Sequence, residues 1–529
     1  MLIAFLAINT NQLMAQTRRQ IIIEQADEWR PLKKDGIEIR RLIGNVIMRH
    51  DDVRMKCDSA YEYTGTSRFD AFGKVVIYQQ NSTLYGDTLY YDGSTKKGRI
   101  RGKIVKLVDD DAVLTTKFLN FNTLDNTITY FNGGVITNPE AHISSSNGIY
   151  FSKQKRFIFS GNVAFKGEDF LINTDSMEYN SNLELINFHG PTRIYSEDSY
   201  LYCEKGWHNR KEEKSEFLTN VFIDNGKQRI FGQKVYYDKK KGFSQIIDNG
   251  CIIDTSRNFT IYGDDIKYFE ETEYAEVRKN PLAVSISEKT DTLYLRADLL
   301  TSIGIKDEVK TDSTIYRIMR GIGNVKFFRN DIQGVCDSMV FNSSDSILHM
   351  YVDPILWNEE NQLTADNVSI AFKNEMIHRI NFIGSSFICS QEDSIRFNQI
   401  KGREMIGFFS NNKLTRLDVN GNGETVYFAR DKGVINYVNR AESSRLSINV
   451  RDNQVVSIMF REKPTTILYP IDKVDPQEVT LKGFTWHIDK RPKTKEEVFP
   501  NNFNPNFFIP IQDLANKYRL QRKDPAKSL

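Results

Sequence analysis

Cysteine, histidine and paired carboxylates are the residue types that could give this chain metal, redox or nucleophilic chemistry, so their spacing is decisive. Cys57, Cys203, Cys251, Cys336 and Cys389 are odd in number and far apart. None forms a CxxC pair, so neither a zinc knuckle nor a dithiol motif is present. The histidines at 50, 142, 189, 208, 349, 378 and 487 are scattered, with no HExxH and no close pair. No Walker loop or GxSxG elbow occurs, and GIGNVK at 321–326 is only the start of a repeat. Acidic residues are plentiful, so a carboxylate pair in a groove, as in a polysaccharide-active β-solenoid, stays open as the enzyme alternative. No catalytic residue, metal ligand or cofactor is assigned, and the expectation is a protein that is not an enzyme.

The totals narrow the classes further. Lys+Arg number 71 against 69 Asp+Glu, a balance unlike the basic excess of a general nucleic-acid binder. The 34 Phe and 24 Tyr, with many β-branched residues, favour pleated surfaces.

What organises the chain is a repeat. GNVIMRHDDVRMKCDSAYEY (44–63), GKVVIYQQNSTLYGDTLYYD (73–92) and GNVAFKGEDFLINTDSMEYN (161–180) each open on Gly and close through Asp and an aromatic residue. With Gly44 as the mark, the phrase restarts at Gly73, Gly102, Gly133, Gly161, Gly190, Thr219, Asn249, Asn280, Gly323, Asp353 and Gly384. A degenerate copy lies near Gly421. The usual step is about 28 to 31 residues, a repeat-architecture period. One longer step holds the polar run KDEVKTDST, making 303–320 a loop or boundary between 17–302 and 321–463.

Each copy carries two arms. In the first, the second and fourth residues after the mark are apolar: Val46/Met48, Val75/Ile77, Val163/Phe165, Val221/Ile223, Val325/Phe327 and Ile355/Trp357. Alternation with period two means a strand with one buried face. The second arm climbs through an apolar residue such as Ile172 to Asp58, Asp87, Asp175 or Asp337. Inward pairs follow: Met177/Tyr179, Val235/Tyr237 and Met339/Phe341. Two arms, each bent once, would lay two strands in each of two facing sheets. One copy would then advance the stack by roughly 9–10 Å.

The bend explains the punctuation. Gly44, Gly73, Gly161 and Gly323 supply the kink where a strand changes sheet, and each Asp caps its own corner by accepting backbone N–H groups. One carboxylate per copy is too few for a calcium ladder. The residue before the Asp is small in nearly every copy (Cys57, Gly86, Thr174, Cys203, Gly232, Gly263, Cys336, Ala365), so three cysteines are small apolar fillers of one slot.

The alternation GNVxF…ADSxxY resembles the OstA-like (organic solvent tolerance) repeat of the lipopolysaccharide-transport periplasmic bridge proteins. It covers roughly residues 40–410 and is most specific at 44–92, 161–180 and 323–341. The resemblance implies an all-β, elongated open β-jellyroll of about a dozen ~29-residue copies in two facing antiparallel sheets. It implies a periplasmic bridge carrying lipid A acyl chains of lipopolysaccharide along an apolar groove towards the outer membrane. Partners would be other jellyroll proteins, joined by edge-strand pairing, with no nucleic acid. The residue-level alternative is a structural or adhesive repeat scaffold with a filled core.

Both ends differ from the repeats. MLIAFLAINTNQLMAQ reads as an exported leader over 1–16, although it lacks a basic n-region. No later stretch is long and apolar enough to span a bilayer. Residues 464–529 lose the pattern, read as an extended, solvated tail, and offer a short basic helix at 511–523 with Ile511, Leu514 and Tyr518 on one side.

Overall fold

The structure, a computed structural model, describes residues 21–520 apart from 35, 52, 80, 110–111, 140, 257, 288–290, 307–314, 432, 452–453 and 502. The expected leader at 1–16 lies outside the described residues. The chain divides into two compact units, residues 1–197 with 209–211, and 198–208 with 212–529. The long step at 303–320 does not separate them. It falls inside the second unit, where Leu299–Lys306 and Ile315–Arg329 pair antiparallel from Leu299↔Ile322 to Lys306↔Ile315.

In the first unit the strand Ile37–His50 pairs antiparallel with Val53–Tyr63, which pairs with Arg68–Gln79, and so on through Leu185–Ser196. The long strands each serve both sheets, as the two-armed phrase requires, and the pairing register breaks at the bend; from Thr127 to Phe151 the arms are separate short strands. Between Phe72 and Val75, for example, the ladder skips the left-handed pair Gly73–Lys74. The second unit continues the same jellyroll plan from Lys214–Asp224 to Val434–Arg451.

Many corners are built between the arm of one copy and the start of the next. Gly73 has φ +74°, and a Cβ there would come within 2.5 Å of the Asp58 carboxylate. Asp87 stands against Gly102 and accepts the Lys103 N–H at 2.8 Å, and Asp175 stands against Gly190. Gly44 abuts Asp27, Gly323 abuts Asp298, and Gly161 abuts Ser146. At Asp337 the backbone N–H donates to Val352 O at 3.2 Å. Asp58, Asp87 and Asp175 thus stand at the following strand's corner, whereas Asp264 accepts the Asn249 N–H of its own copy at 3.1 Å, so the expectation that each Asp caps its own corner is corrected in part.

The small slot also has a spatial cause. A Cβ at Gly86, Gly232 or Gly263 would meet Ile100, Ile246 or Val277, the apolar side chain that the next strand brings to the bend. Where the slot holds Cys or Thr, the side chain donates to the carbonyl two residues on: Cys57 to Ser59, Thr174 to Ser176, Cys336 to Ser338. All five cysteines are free thiols and buried.

Four corners begin one residue before their marks, with left-handed pairs at Asn132–Gly133, Asp248–Asn249, Lys279–Asn280 and Val352–Asp353. Val352 and Asp353 are both left-handed, at φ 60° and 51°, so the bend begins at Val352 and not at Asp353. A strand alternates with period two, so this single-residue slip exchanges the faces. Leu356 stands opposite Gly334, itself opposite the inward Phe327. Ile355 and Trp357 therefore lie on the outer face, correcting their assignment to the groove.

Candidate functional site

Cross-strand register turns the inward residues into rows running from strand to strand. In the first unit one sheet carries Met48, Met55, Ile77, Leu84, Leu107, Leu114, Ile136, Ile143, Phe165, Ile172 and Ile194, each directly opposite the next. The facing sheet carries Leu42, Ala60, Ala71, Leu89, Ile100, Leu119 and Tyr130. Across Gly148 the row continues to Phe159, Met177 and Phe188. Every member of the two rows is apolar or glycine.

The sheets meet closely here. Val46, Met48, Val75, Ile77, Val163, Phe165, Ile172 and Met177 are all buried, and Tyr179 is half-buried nearer the rim. Small apolar gaps remain. One lies between Met48, Met55 and Ile77 on one side and Phe69, Leu89, Tyr91 and Phe121 on the other. Another is lined by Leu107, Leu114 and Ile136 facing Tyr130, Phe157 and Phe159. Polar contacts bridge the rims beside them: Lys96 Nζ meets Asp51 at 2.6 Å, Nδ1 of His50 lies 3.0 Å from the Tyr91 hydroxyl, and the Tyr150 hydroxyl reaches Asp109 at 3.5 Å.

The second unit repeats the plan with a looser mouth. Its first row runs Ile223, Ile230, Ile252, Ile261, Ala283, Leu295, Phe327. Beyond Gly334 it passes through Leu356, Leu363, Ile388 and Ile400. The facing row passes through Phe217, Val235, Ile246, Ile266, Val277 and Leu300, then Met339, Met350, Val368, Phe382, Met405 and Val419. Val221, Val235, Val325, Phe327 and Met339 are buried, whereas Tyr237 and Phe341 are half-buried. Ile223, Ile230, Ile252, Ile261 and Leu295 are also only half-buried. An inward apolar row left partly open to solvent is the feature a lipid-binding groove needs.

Residues 18–175 match the family described as OstA-like protein, and residues 142–274 match the LptA/(LptD N-terminal domain) LPS transport protein family. Over residues 18–175 the chain is OstA-like. Among solved structures it is similar to LptH, the LptA homologous periplasmic component of the lipopolysaccharide transport device from Pseudomonas aeruginosa. The identity is 14%, over 26% of this chain and 95% of that one, with a TM-score of 0.20. The curated proteins contain no match.

Among the described residues of the OstA-like chain no group of three or more His, Cys, Asp or Glu could hold a metal ion. Burial pushes the thiols of Cys57, Cys203, Cys336 and Cys389 up to about 12, so they stay protonated at neutral pH. Among the described residues no helix is long and apolar enough to cross a membrane, which says nothing of strands.

The outer face of the second unit was not anticipated. In the first unit, positions two before the corner Asp point outward and are exposed, as at Lys56 and Tyr85. In the second the equivalent positions, before Glu204, Gln233 and Asp264, are Tyr202, Phe231 and Tyr262, all buried. The C-terminal segment covers Phe231 and Tyr262. Phe508 packs on Phe231 with ring centroids 5.0 Å apart, Phe503 on Tyr262 at 4.9 Å, and Phe499 on Tyr294 at 5.6 Å. The expectation of a solvated tail is corrected: Leu481, Val498 and Ile511 are buried, and the helix spans Ile509–Leu520. Leu514 is half-buried, and the Tyr518 side chain lies outside the described residues. The sequence signal was present. Ile230-Phe231 and Ile261-Tyr262 put apolar residues on both faces of a strand, the pattern of a sheet covered on both sides.

Proposed function

We propose that this OstA-like chain is a periplasmic lipopolysaccharide-transport bridge that carries lipid acyl chains along the inner faces of its jellyroll. The observation behind this reading is the unbroken apolar row, half-open from Ile223 to Leu295. Burying a methylene is worth about 0.8 kcal/mol, so a chain of about fourteen carbons gains on the order of 10 kcal/mol. One deep site of that strength would trap the lipid. A row of near-equivalent side chains spaced about 4.8 Å apart lets the chain advance while its burial stays nearly constant.

The scaffold reading has its own support in the first unit, where Phe165, Met177 and their neighbours are almost fully buried and the gaps between the sheets are small. Photocrosslinking in cells separates the two. A photoreactive residue at Ile230, compared with outward Arg229, is expected to give lipopolysaccharide adducts at 230 alone. A folded, exported protein with no adduct at 230, 261 or 165 would leave the filled scaffold as the better account.

Partners would join by edge-strand pairing. Among the described residues, the edge at the start of the first unit is formed by Ile22–Gln25 and Glu28–Lys34, both paired to Ile37–His50. Trp29, Leu32 and Ile37 are exposed there, as befits an edge that takes up another strand.

A further inference from the structure

We propose that the outer face of the second unit is a binding track for an extended peptide, and that its ligand is residues 479–511 of the same chain. This site is separate from the inner rows and serves neither lipid contact nor edge pairing.

Buried glutamines carry the recognition. Gln399 Nε2 donates to Val479 O at 3.0 Å while its Oε1 accepts the Leu481 N–H at 2.9 Å. Gln362 repeats the device: Nε2 donates to Thr485 O at 2.8 Å and Oε1 accepts the His487 N–H at 2.7 Å. Each amide thus bonds the carbonyl of one residue and the N–H of the residue two further on, as a neighbouring strand would. Farther along, Gln333 Oε1 accepts from Arg491 Nε and Nη2 at 2.9 and 2.7 Å. All three glutamines are at most 3% exposed.

Their placement is periodic. Gln333 and Gln362 each lie four residues before a corner Asp, at Asp337 and Asp366. Gln399 lies four before Arg403, which occupies the corresponding corner against Gly421. The described residues within 471–508 form no strand, so their backbone groups need partners from elsewhere. A buried amide is costly unless both its ends are bonded; for Gln362 and Gln399 the segment supplies both, while Gln333 Nε2 donates to Arg329 O and Asn330 O and leaves its Oε1 for the segment. Apolar side chains give the affinity: Leu481 and Phe484 pack with Phe387, Cys389, Val426 and Phe428, and farther back Phe503 and Phe508 seat on Tyr262 and Phe231.

Glutamine supplies a donor and an acceptor without committing the segment to a strand ladder. A segment held through side chains crosses the sheet strands instead of extending them, so it reaches from Gln399 back to Phe231. The track therefore discriminates by register: two backbone clasps six residues apart (479/481 and 485/487) and an Arg four residues beyond the second.

The test uses the full chain with a protease site inserted between Pro476 and Gln477, in an exposed stretch, cut after folding. The cut segment is expected to co-elute with the body on size exclusion at micromolar concentration, as a monomer. Its exchange with a fluorescent peptide of residues 477–511 is expected to be at least ten-fold faster in the Gln362→Leu/Gln399→Leu variant. Immediate separation of the wild-type segment, unchanged exchange in the variant, or a swapped dimer would each overturn the proposal. Should the variant not fold, hydrogen exchange on uncut wild-type protein decides: Leu481 and His487 amides are expected to be protected, and exchange at solvent rates would sink the idea.

Discussion

Asp87 Oδ2 accepts the backbone N–H of Lys103 at 2.8 Å, tying the end of one arm to the corner of the next. The bond is charge-assisted but exposed, so Asp87→Ala is expected to destabilise the first unit by about 1 kcal/mol. Asp87→Asn, which keeps an acceptor, should recover part of the loss. Urea midpoints of the two variants check this, and equal midpoints for Ala and wild type would remove the corner role.

Gly73 is the sharper test of the same corner. Any L-residue there must adopt φ +74° and crowd the Asp58 carboxylate. Gly73→Ala is expected to cost about 1–3 kcal/mol. Gly65→Ala is the control, since its φ is also +74° but nothing lies within 4 Å of the added methyl. The difference between the two measures the crowding, separated from backbone strain.

The two units should respond differently to truncation of their inner rows. Phe165→Ala removes a buried ring and is expected to cost about 3–5 kcal/mol. Ile230→Ala, at a half-buried position, should cost about 1–2 kcal/mol. Thermal unfolding of each variant gives the comparison. A larger penalty at Ile230 would mean that the second row is as tightly filled as the first.

Thiol ionisation should set an alkaline limit. Cys57, Cys203, Cys336 and Cys389 have pKa values raised by burial from 9.0 to about 12. Between those values the folded chain holds protons that the unfolded chain has released. The contribution is therefore complete below pH 9 and is lost as pH rises towards 12. Aromatic disulfide reagent at pH 8 should label none of the five thiols in the native protein and all five in denaturant. Rapid native labelling would contradict the burial.

At the exposed edge, Trp29→Lys with Leu32→Lys is expected to weaken any self-association without altering the fold, because both side chains are already exposed. Sedimentation at increasing concentration reads it out. Pro31 already removes one donor from this edge, so the pairing partner must tolerate that gap.

The amino-acid order alone determined the repeat, the strand pairs and the inward positions. Period-two alternation reports which face is buried without knowing the neighbour, so Val46/Met48, Val163/Phe165 and Val325/Phe327 could be placed one copy at a time. Gly and Asn mark many of the bends, but the left-handed pair Val352–Asp353 carries neither. The same local logic misplaced Ile355 and Trp357. Only the backbone conformation at Val352 shows where that bend begins, and one residue reverses the faces. What covers the outer face was decided by tertiary structure. Gln362 and His487 are 125 residues apart and share no local pattern. Their bond exists because an apolar outer face needs cover and the C-terminal segment reaches it. Whether an inner row is closed, as at Phe165, or half-open, as at Ile230, depends on the separation of two sheets, and alternation along one strand is blind to that distance.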